Sequence, residues 1–466
     1  MEVCLDNIKN IRIKLPAKAS VWYLGVAFAS KAVGFLITPF FTRAIDGEAY
    51  GELTLYLTMV GIGSVCCSAF NTGGAFFKEM KNNEEEKGSF LKSALLVSLI
   101  ASSVFCLLLF TLRPFIALPS HLLLPLFLQI ICDGIVAVAT SFSKYEYRYK
   151  EVCLITLCTS VLPALLTLLL LRVVRGRFMV RVYSLLLISI LIAAYSLIKI
   201  CRLKGKINKC SKALVKTAIP ILPSSVSTAL SGQADKLFIT KLMGAFALAK
   251  YSVIHSLGVG LNFIVSAVGF ALSPWITRKL RAKDYDAISL TVSILISVLS
   301  SLCIFLMALA PEAMRILAPR EYLDAYPALL PIVLTTPLSL LSSVNSICLV
   351  NEGRAKETLM ISVGGTAVGL ILNFMLIGKI GYLGAGVSML ASQATTALSG
   401  LFVIFRSRLG RVIDLKKITE AVLTALTIGA VAYFLFESPA LRVLLLVPPT
   451  IALLNVFFGF HRLFIE

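Results

Sequence analysis

Charge is what this sequence has least of. Only 15% of its 466 residues are Asp, Glu, Lys or Arg, and only 24 are acidic. Soluble domains carry about a quarter charged residues, so an ordinary water-facing surface is excluded. Histidine is scarcer still: His121, His255 and His461 are too scattered to suggest a metal centre. The eleven cysteines show no C-x-x-C or Cys/His ligand spacing. Most lie inside apolar runs (Cys66, Cys67, Cys106, Cys132, Cys303, Cys348), where a free thiol is a small hydrophobe. No disulfide, metal or cofactor is therefore expected. Long polar connections are missing too. Those at 73–89, 199–216 and 311–327 are among the longest, too short to hide a soluble catalytic domain. No nucleophile–base pair or paired carboxylates stand at the outer connections. A polymerase or ligase is therefore disfavoured, and no catalytic residue is assigned.

What is present is hydrophobic: 58% of residues, with a mean hydropathy of +0.90. Apolar runs long enough to cross a hydrocarbon core of about 30 Å recur along the whole chain. They fall at 20–42, 51–72, 90–112, 121–142, 152–173, 178–200, 214–240, 250–276, 287–310, 325–350, 357–379, 382–405, 417–436 and 441–464. Strands of a membrane barrel would be about ten residues of alternating pattern, so a barrel is excluded. Residues 1–19 are polar and basic, and the first run is itself of spanning length, so no signal peptide is expected. The fold class expected is all-α and integral to the membrane, with about fourteen transmembrane helices.

The net charge of +20 is a matter of topology. Of the 44 lysines and arginines, 29 lie in the terminal segments and connections of one side, 12 on the other, and three (Lys31, Lys92, Lys236) inside runs. The positive-inside rule then places both termini in the cytoplasm, in a multi-pass protein of the cell membrane with no nucleic-acid partner. One outer connection departs from the pattern, the cluster Arg172, Arg175, Arg177 and Arg181.

The chain also looks duplicated. FLITPFFTRAIDGEAYGELTLY at 35–56 and GQADKLFITKLMGAFALAKYSVIHS at 232–256 each end a run on Thr plus a basic residue, then enter a Gly/Tyr turn. Each starts six runs after a basic segment. This predicts a parallel repeat of two six-helix lobes, 1–200 and 201–410, with two further helices at 411–466.

Polar faces single out candidate residues. Ser20, Lys31, Thr38 and Thr42 fall within about 40° of one another on a helix. Ser224, Thr228, Ser231 and Asp235 form a similar stripe in the seventh run, as do His255, Asn262 and Ser266 in the eighth. Hydroxyls alone can serve backbone carbonyls or close packing. Charges are different, because an ionised side chain within the bilayer normally faces protein or water and is functional. Lys31 and Asp133 sit near the midpoints of the first and fourth runs, and Asp235 and Lys236 near the outer end of the seventh. Lys31 and Asp133 could form a structural pair, and Lys236 could snorkel. Pro163, Pro220, Pro223, Pro331 and Pro337 mark places where a helix can bend.

TPFFTRAIDGEAYG resembles the end of the first helix in the polysaccharide transport family, the oligosaccharide-lipid (O-antigen) flippases. That family belongs to the multidrug/oligosaccharidyl-lipid/polysaccharide exporter superfamily. PILPSSVSTALSGQADKLFITKLMG resembles its seventh helix, and LILNFMLIGKIGYLGAGVSMLASQ its eleventh-to-twelfth segment. The resemblance implies two six-helix lobes around a central cavity, alternating access, and a substrate of undecaprenyl-pyrophosphate-linked oligosaccharide destined for O-antigen, capsule or exopolysaccharide. The basic stretch RVVRGRFMVR (172–181) departs from the second half, which has a glycine turn there. On this reading Lys31, Arg43, Lys236 and Lys241 would meet the anionic pyrophosphate, and Thr38, Ser231 and Asn262 the sugar hydroxyls. Asp133, Asp235 and His255 are candidates for coupling H⁺ or Na⁺. Membrane lipids and a polysaccharide polymerase are the expected partners. An ion-coupled multidrug or metabolite exporter of the same superfamily is the alternative.

Overall fold

Short polar punctuation divides the apolar runs into helices. Asp46 and Asp284 each sit just before a helix and accept a backbone N–H of its first turn, at 3.3 Å in both cases. Gly244 and Gly381, with φ of 92° and 58°, take the left-handed backbone that lets one helix end and the next begin without a loop. The computed structural model describes residues 2–71, 74–116, 118–171, 178–205, 214–216, 219, 222–407, 414–435, 438, 441–442, 446 and 449–450.

The chain divides into two compact units, Met1–Ala229 and Leu230–Glu466. The first contains α1 (Glu2–Ala44), α2 (Gly47–Ser68), α3 (Gly74–Asn82), α4 (Lys87–Ile116), α5 (Ser120–Tyr145), α6 (Tyr149–Leu171) and α7 (Met179–Cys201). The boundary falls inside α8 (Leu222–Ser231). The second contains α9 (Ala234–Met243), α10 (Ala245–Gly258), α11 (Asn262–Arg281), α12 (Tyr285–Leu317), α13 (Leu329–Asn351), α14 (Ala355–Ile380), α15 (Tyr382–Phe405) and α16 (Leu415–Phe434).

Among the described residues, 12 helical segments are long and apolar enough to cross a membrane. The protein is all-α and multi-pass. Leu107, Leu124, Phe374 and Met360 are 66–73% exposed, as befits side chains that meet lipid tails rather than water. The fourteen expected spans are corrected at one place. The run at 214–240 is not a continuous helix: α8 stops at Ser231 and α9 starts at Ala234. The break lies at Gly232 and Gln233, where Gln233 leaves helical geometry (φ −137°, ψ −10°). Pro223 is not the cause, since it sits in the first turn of α8, where a missing N–H costs nothing. Pro220 and nearly all of the run at 441–464 lie outside the described residues.

In the first unit, Phe76 and Met80 of α3 pack with Phe90 and Leu91 of α4, Val138 and Phe142 of α5, and Ile200 of α7. In the second, α13 supplies Leu340, Val344 and Cys348 to a core shared with Ile276 of α11, Val292 and Ile296 of α12, and Leu401 of α15. α14 and α15 approach closely through small residues. Ser392 Oγ donates to the Gly365 carbonyl at 2.8 Å, a helix–helix bond across a small-residue face. Arg442, only 2% exposed, ties the C-terminal segment to α12 by a two-pronged bond to Glu312 (2.6 and 2.8 Å) and a third to the Ala308 carbonyl.

Candidate functional site

The break between α8 and α9 decides where Asp235 goes. It becomes the second residue of a new helix, where free backbone N–H groups favour a carboxylate. Although it falls near the outer end of the seventh run, Asp235 is buried, only 4% exposed. Its Oδ2 accepts the hydroxyl proton of Tyr251. His255, one turn further along α10, brings Nε2 to 3.7 Å from the same oxygen. The Tyr251 and His255 rings lie 5.6 Å apart. The other oxygen, Oδ1, is buried and has no hydrogen-bond partner.

Asp235 lines a small cavity within the second unit, with Ser231, Thr366, Asn373, Ser388 and Ser392 among the polar walls and Leu230, Ala234, Leu370 and Met389 among the apolar ones. Its volume of about 10 Å³ suits one water-sized occupant. Asn373 Oδ1 is also buried without a partner. Ser388 and Ser392 spend their hydroxyl protons on the carbonyls of Gly384 and Gly365, which leaves their oxygen lone pairs for a ligand. Gly369 keeps the space open, because a β-carbon there would lie 3.0 Å from Ser392 Cβ. One carboxylate beside neutral side-chain oxygens is chemistry that can receive a small monovalent cation or a proton. Among the described residues no group of three or more His, Cys, Asp or Glu could hold a metal ion.

The other candidates are dispersed. Lys236 donates to Gln233 Oε1 at 2.9 Å, and Lys241 is exposed. Asn262 accepts from Ser339 Oγ at 3.1 Å, and a turn of 3-10 helix at Val259–Leu261 separates it from His255. The eighth-run stripe is thereby broken. Ser231 alone of the seventh-run hydroxyls lines the Asp235 cavity, while Thr228 is exposed and returns its proton to the Ser224 carbonyl.

In the first unit, Lys31 is exposed, with no hydrogen bond or ion pair among the described residues. Its neighbour Ser30 accepts from Ser160 of α6 at 3.0 Å. Thr38 bonds its own helix at Gly34, and Arg43 donates to the Pro39 carbonyl. The side chain of Ser20 lies outside the described set. A Lys31–Asp133 pair is not formed. Asp133 accepts instead from Ser64 Oγ at 2.6 Å and Gln129 Nε2 at 2.9 Å, and Gln129 also reaches Ser189 Oγ. Of the basic cluster, Arg181 stacks over Phe41 at 5.4 Å and donates to Thr167, whereas Arg172, Arg175 and Arg177 lie outside the described residues.

Sequence reasoning missed Tyr251, Asn373, Ser388 and Ser392. The signal was there in the spacing Thr366, Gly369, Asn373 and Ser388, Ser392, small polar residues on one face of adjacent helices.

Residues 17–280 match the family described as polysaccharide biosynthesis protein, and residues 220–375 match the family described as MatE. An uncharacterised membrane protein of Methanocaldococcus jannaschii is 27% identical over 205 residues, 41% of this chain; the match spans 46% of that protein, less than half its length. Among solved structures, the fold is similar to the lipid II flippase MurJ in an inward closed conformation. The TM-score is 0.73 at 16% identity, over 95% of this chain and 99% of that one. An inward-facing multidrug resistance MATE transporter of the MOP superfamily gives a TM-score of 0.62 at 14% identity, covering 82% and 95%.

Proposed function

We propose that the chain, which belongs to the polysaccharide biosynthesis protein family and to the MOP exporter superfamily of transporters, is a flippase for undecaprenyl-pyrophosphate-linked oligosaccharide repeat units, working by alternating access. The family match over residues 17–280 supports a lipid-linked glycan as cargo. The observation that carries the reading is Lys31: an ammonium in an apolar helix, exposed and without a protein partner among the described residues. A pyrophosphate crossing a low-dielectric layer needs fixed positive charge, and a cation not already paired inside the fold supplies it. Arg43, Lys236 and Lys241 are further candidates for that charge, with Thr38, Ser231 and Asn262 for the sugars. A small cation in the Asp235 cavity supplies the energy, and Asp133 is a second titratable candidate. The protein resides in the cytoplasmic membrane with both termini inside and hands its product to a polymerase.

The test is reconstitution in liposomes carrying a fluorescent lipid-linked oligosaccharide, with an external glycosidase reporting what reaches the outer leaflet. Faster exposure of the glycan than in protein-free liposomes is expected. Equal rates sink the proposal.

The buried carboxylate of Asp235 gives a second reading some footing, a multidrug exporter that takes organic cations. Competition with a cationic dye in whole cells separates the two, since a flippase for an anionic lipid leaves dye efflux unchanged.

A further inference from the structure

The connection between α6 and α7 breaks the positive-inside pattern, and its charge has no local counterpart. Arg172, Arg175, Arg177 and Arg181 stand in a stretch that contains no Asp or Glu between Glu151 and Asp235. Arg181, in the first turn of α7, is half-buried. Its guanidinium carbon lies 5.4 Å from the centre of the Phe41 ring of α1. Nη1 donates to Thr167 Oγ1 of α6 at 3.5 Å, and that hydroxyl spends its own proton on the Pro163 carbonyl. Among the described residues no carboxylate pairs with Arg181, and no other acceptor meets its N–H groups. Two acids at this end of the first unit are engaged elsewhere. Glu52 faces His121 at 3.4 Å, and Asp46 accepts the Glu48 N–H.

We infer that Arg181 anchors a membrane phospholipid: its guanidinium, held over Phe41 and backed by Thr167, binds the headgroup phosphate of an anionic lipid where α1 stops and α7 starts. The anchor needs only a bilayer and does not depend on which cargo the protein carries.

The chemistry of the guanidinium comes first. Its planar fork matches two oxygens of a phosphate, and a half-buried cation with open donors is costly until an oxyanion meets it. The first turn of a helix also opposes a cation and favours an anion, so a bound phosphate relieves both penalties. Depth is the second argument. α6 ends at Leu171 and α7 starts at Met179, which puts Arg181 within one turn of the end of its span. Tyr183, two residues on, is exposed, and exposed tyrosines near span ends sit at headgroup level. Acyl chains have surface to lie on: Phe40 beside Phe41, and Leu169 two residues from Thr167, are both exposed. The three arginines that precede Arg181 in sequence add to the attraction, which grows with each basic residue near an anionic leaflet. Lipid phosphates thus supply the negative charge that the chain itself omits here.

The test is native mass spectrometry of the purified full-length protein in nonionic detergent, with phosphatidylglycerol and diacylglycerol of the same acyl chains added in equal amounts. Phosphatidylglycerol should be retained in preference to diacylglycerol. Arg181→Gln should weaken that retention by roughly tenfold, the worth of one charge-assisted pair. Arg181→Lys keeps the charge without the fork and should lose part of the retention; it is the readout if Arg181→Gln does not insert. Arg148→Gln removes an exposed arginine between α5 and α6 and should change nothing. Wild-type retention in Arg181→Gln, or in Arg181→Lys where that is the variant measured, overturns the anchor. Equal retention of diacylglycerol overturns it too, because tails rather than phosphate are then bound. A loss in Arg148→Gln as large as in Arg181→Gln indicates diffuse charge and likewise refutes a site. A parallel titration with undecaprenyl pyrophosphate separates the two sources of phosphate: if Arg181→Gln weakens its binding and spares phosphatidylglycerol, Arg181 serves the cargo and the phospholipid anchor is refuted.

Discussion

Replacing Lys31 by alanine separates a transport residue from a structural one. A lysine buried against Asp133 would leave a stranded carboxylate when removed, at a cost of about 3–5 kcal/mol. The geometry is different: Lys31 is exposed and unpaired among the described residues, and Asp133 is already bonded by Ser64 and Gln129. The expected effect on stability is thus that of an ordinary exposed position, within about 0.5 kcal/mol, and membrane abundance should stay near normal. The loss appears in transport. A unit charge about 4 Å from an ammonium is worth up to about 4 kcal/mol at an effective dielectric of 20. Solvation at an exposed site reduces this to the range of a charge-assisted hydrogen bond, about 1.5–3 kcal/mol. At about 1.4 kcal/mol per decade, export should fall by roughly 10- to 150-fold. Lys31→Arg should retain part of the activity, and Lys31→Met, which keeps the apolar stem, should resemble alanine. The assay is glycan flipping in liposomes normalised to inserted protein. Because Lys31 and Asp133 share no bond, Asp133→Ala should not rescue Lys31→Ala, and their stability effects should add to within about 0.5 kcal/mol. Restored abundance and export in the double mutant would refute the reasoning, as would wild-type export in Lys31→Ala.

Asp133→Ala should lower thermal stability by about 1–3 kcal/mol by leaving Ser64 and Gln129 donors unpaired. Asp133→Asn should not, because its amide can donate to the now unpaired Gln129 Oε1 while still accepting from Ser64; equal melting shifts for the two would contradict this. Gly386→Val places a β-carbon 2.7 Å from Pro331 Cγ and 2.8 Å from the Ala328 carbonyl oxygen, so a sharp drop in folded protein by size-exclusion chromatography is expected. Asp284 is held below the usual carboxylate range, first by its bond to the Lys279 ammonium and then by the Ala287 N–H. Its stabilisation is present above the ordinary aspartate value and fades as pH falls through the lowered one. Asp284→Asn should therefore melt earlier than wild type at neutral pH and match it only once the pH lies below that lowered value. Topology reporters should be active in the cytoplasm at 82 and 282 and outside at 245 and 319; the reverse at 245 would break the parallel repeat.

Hydropathy by itself determined that the chain is a bundle of membrane helices, because in hydrocarbon only a helix or a closed barrel satisfies the backbone, and runs of this length admit only the helix. The turn at Gly244 was legible as well, whereas Asp46, Asp284 and Gly381 showed themselves as helix ends only in the structure, through their local backbone geometry. The surroundings of Lys31 and Asp133 were not legible. Periodicity placed both at mid-span, yet it reports only the face of one helix, and the partners of Asp133 come from α2 and from its own preceding turn. The stripe through Asp235 also failed at Gly232 and Gln233, where two non-helical residues reset the rotation that the pattern assumed. Only the tertiary structure carried that carboxylate to Asn373, Ser388 and Ser392, more than a hundred residues downstream, and to His255 on the helix that follows. A cation site needs oxygens from several directions at once, and a linear pattern encodes only one of them. Packing supplied the others.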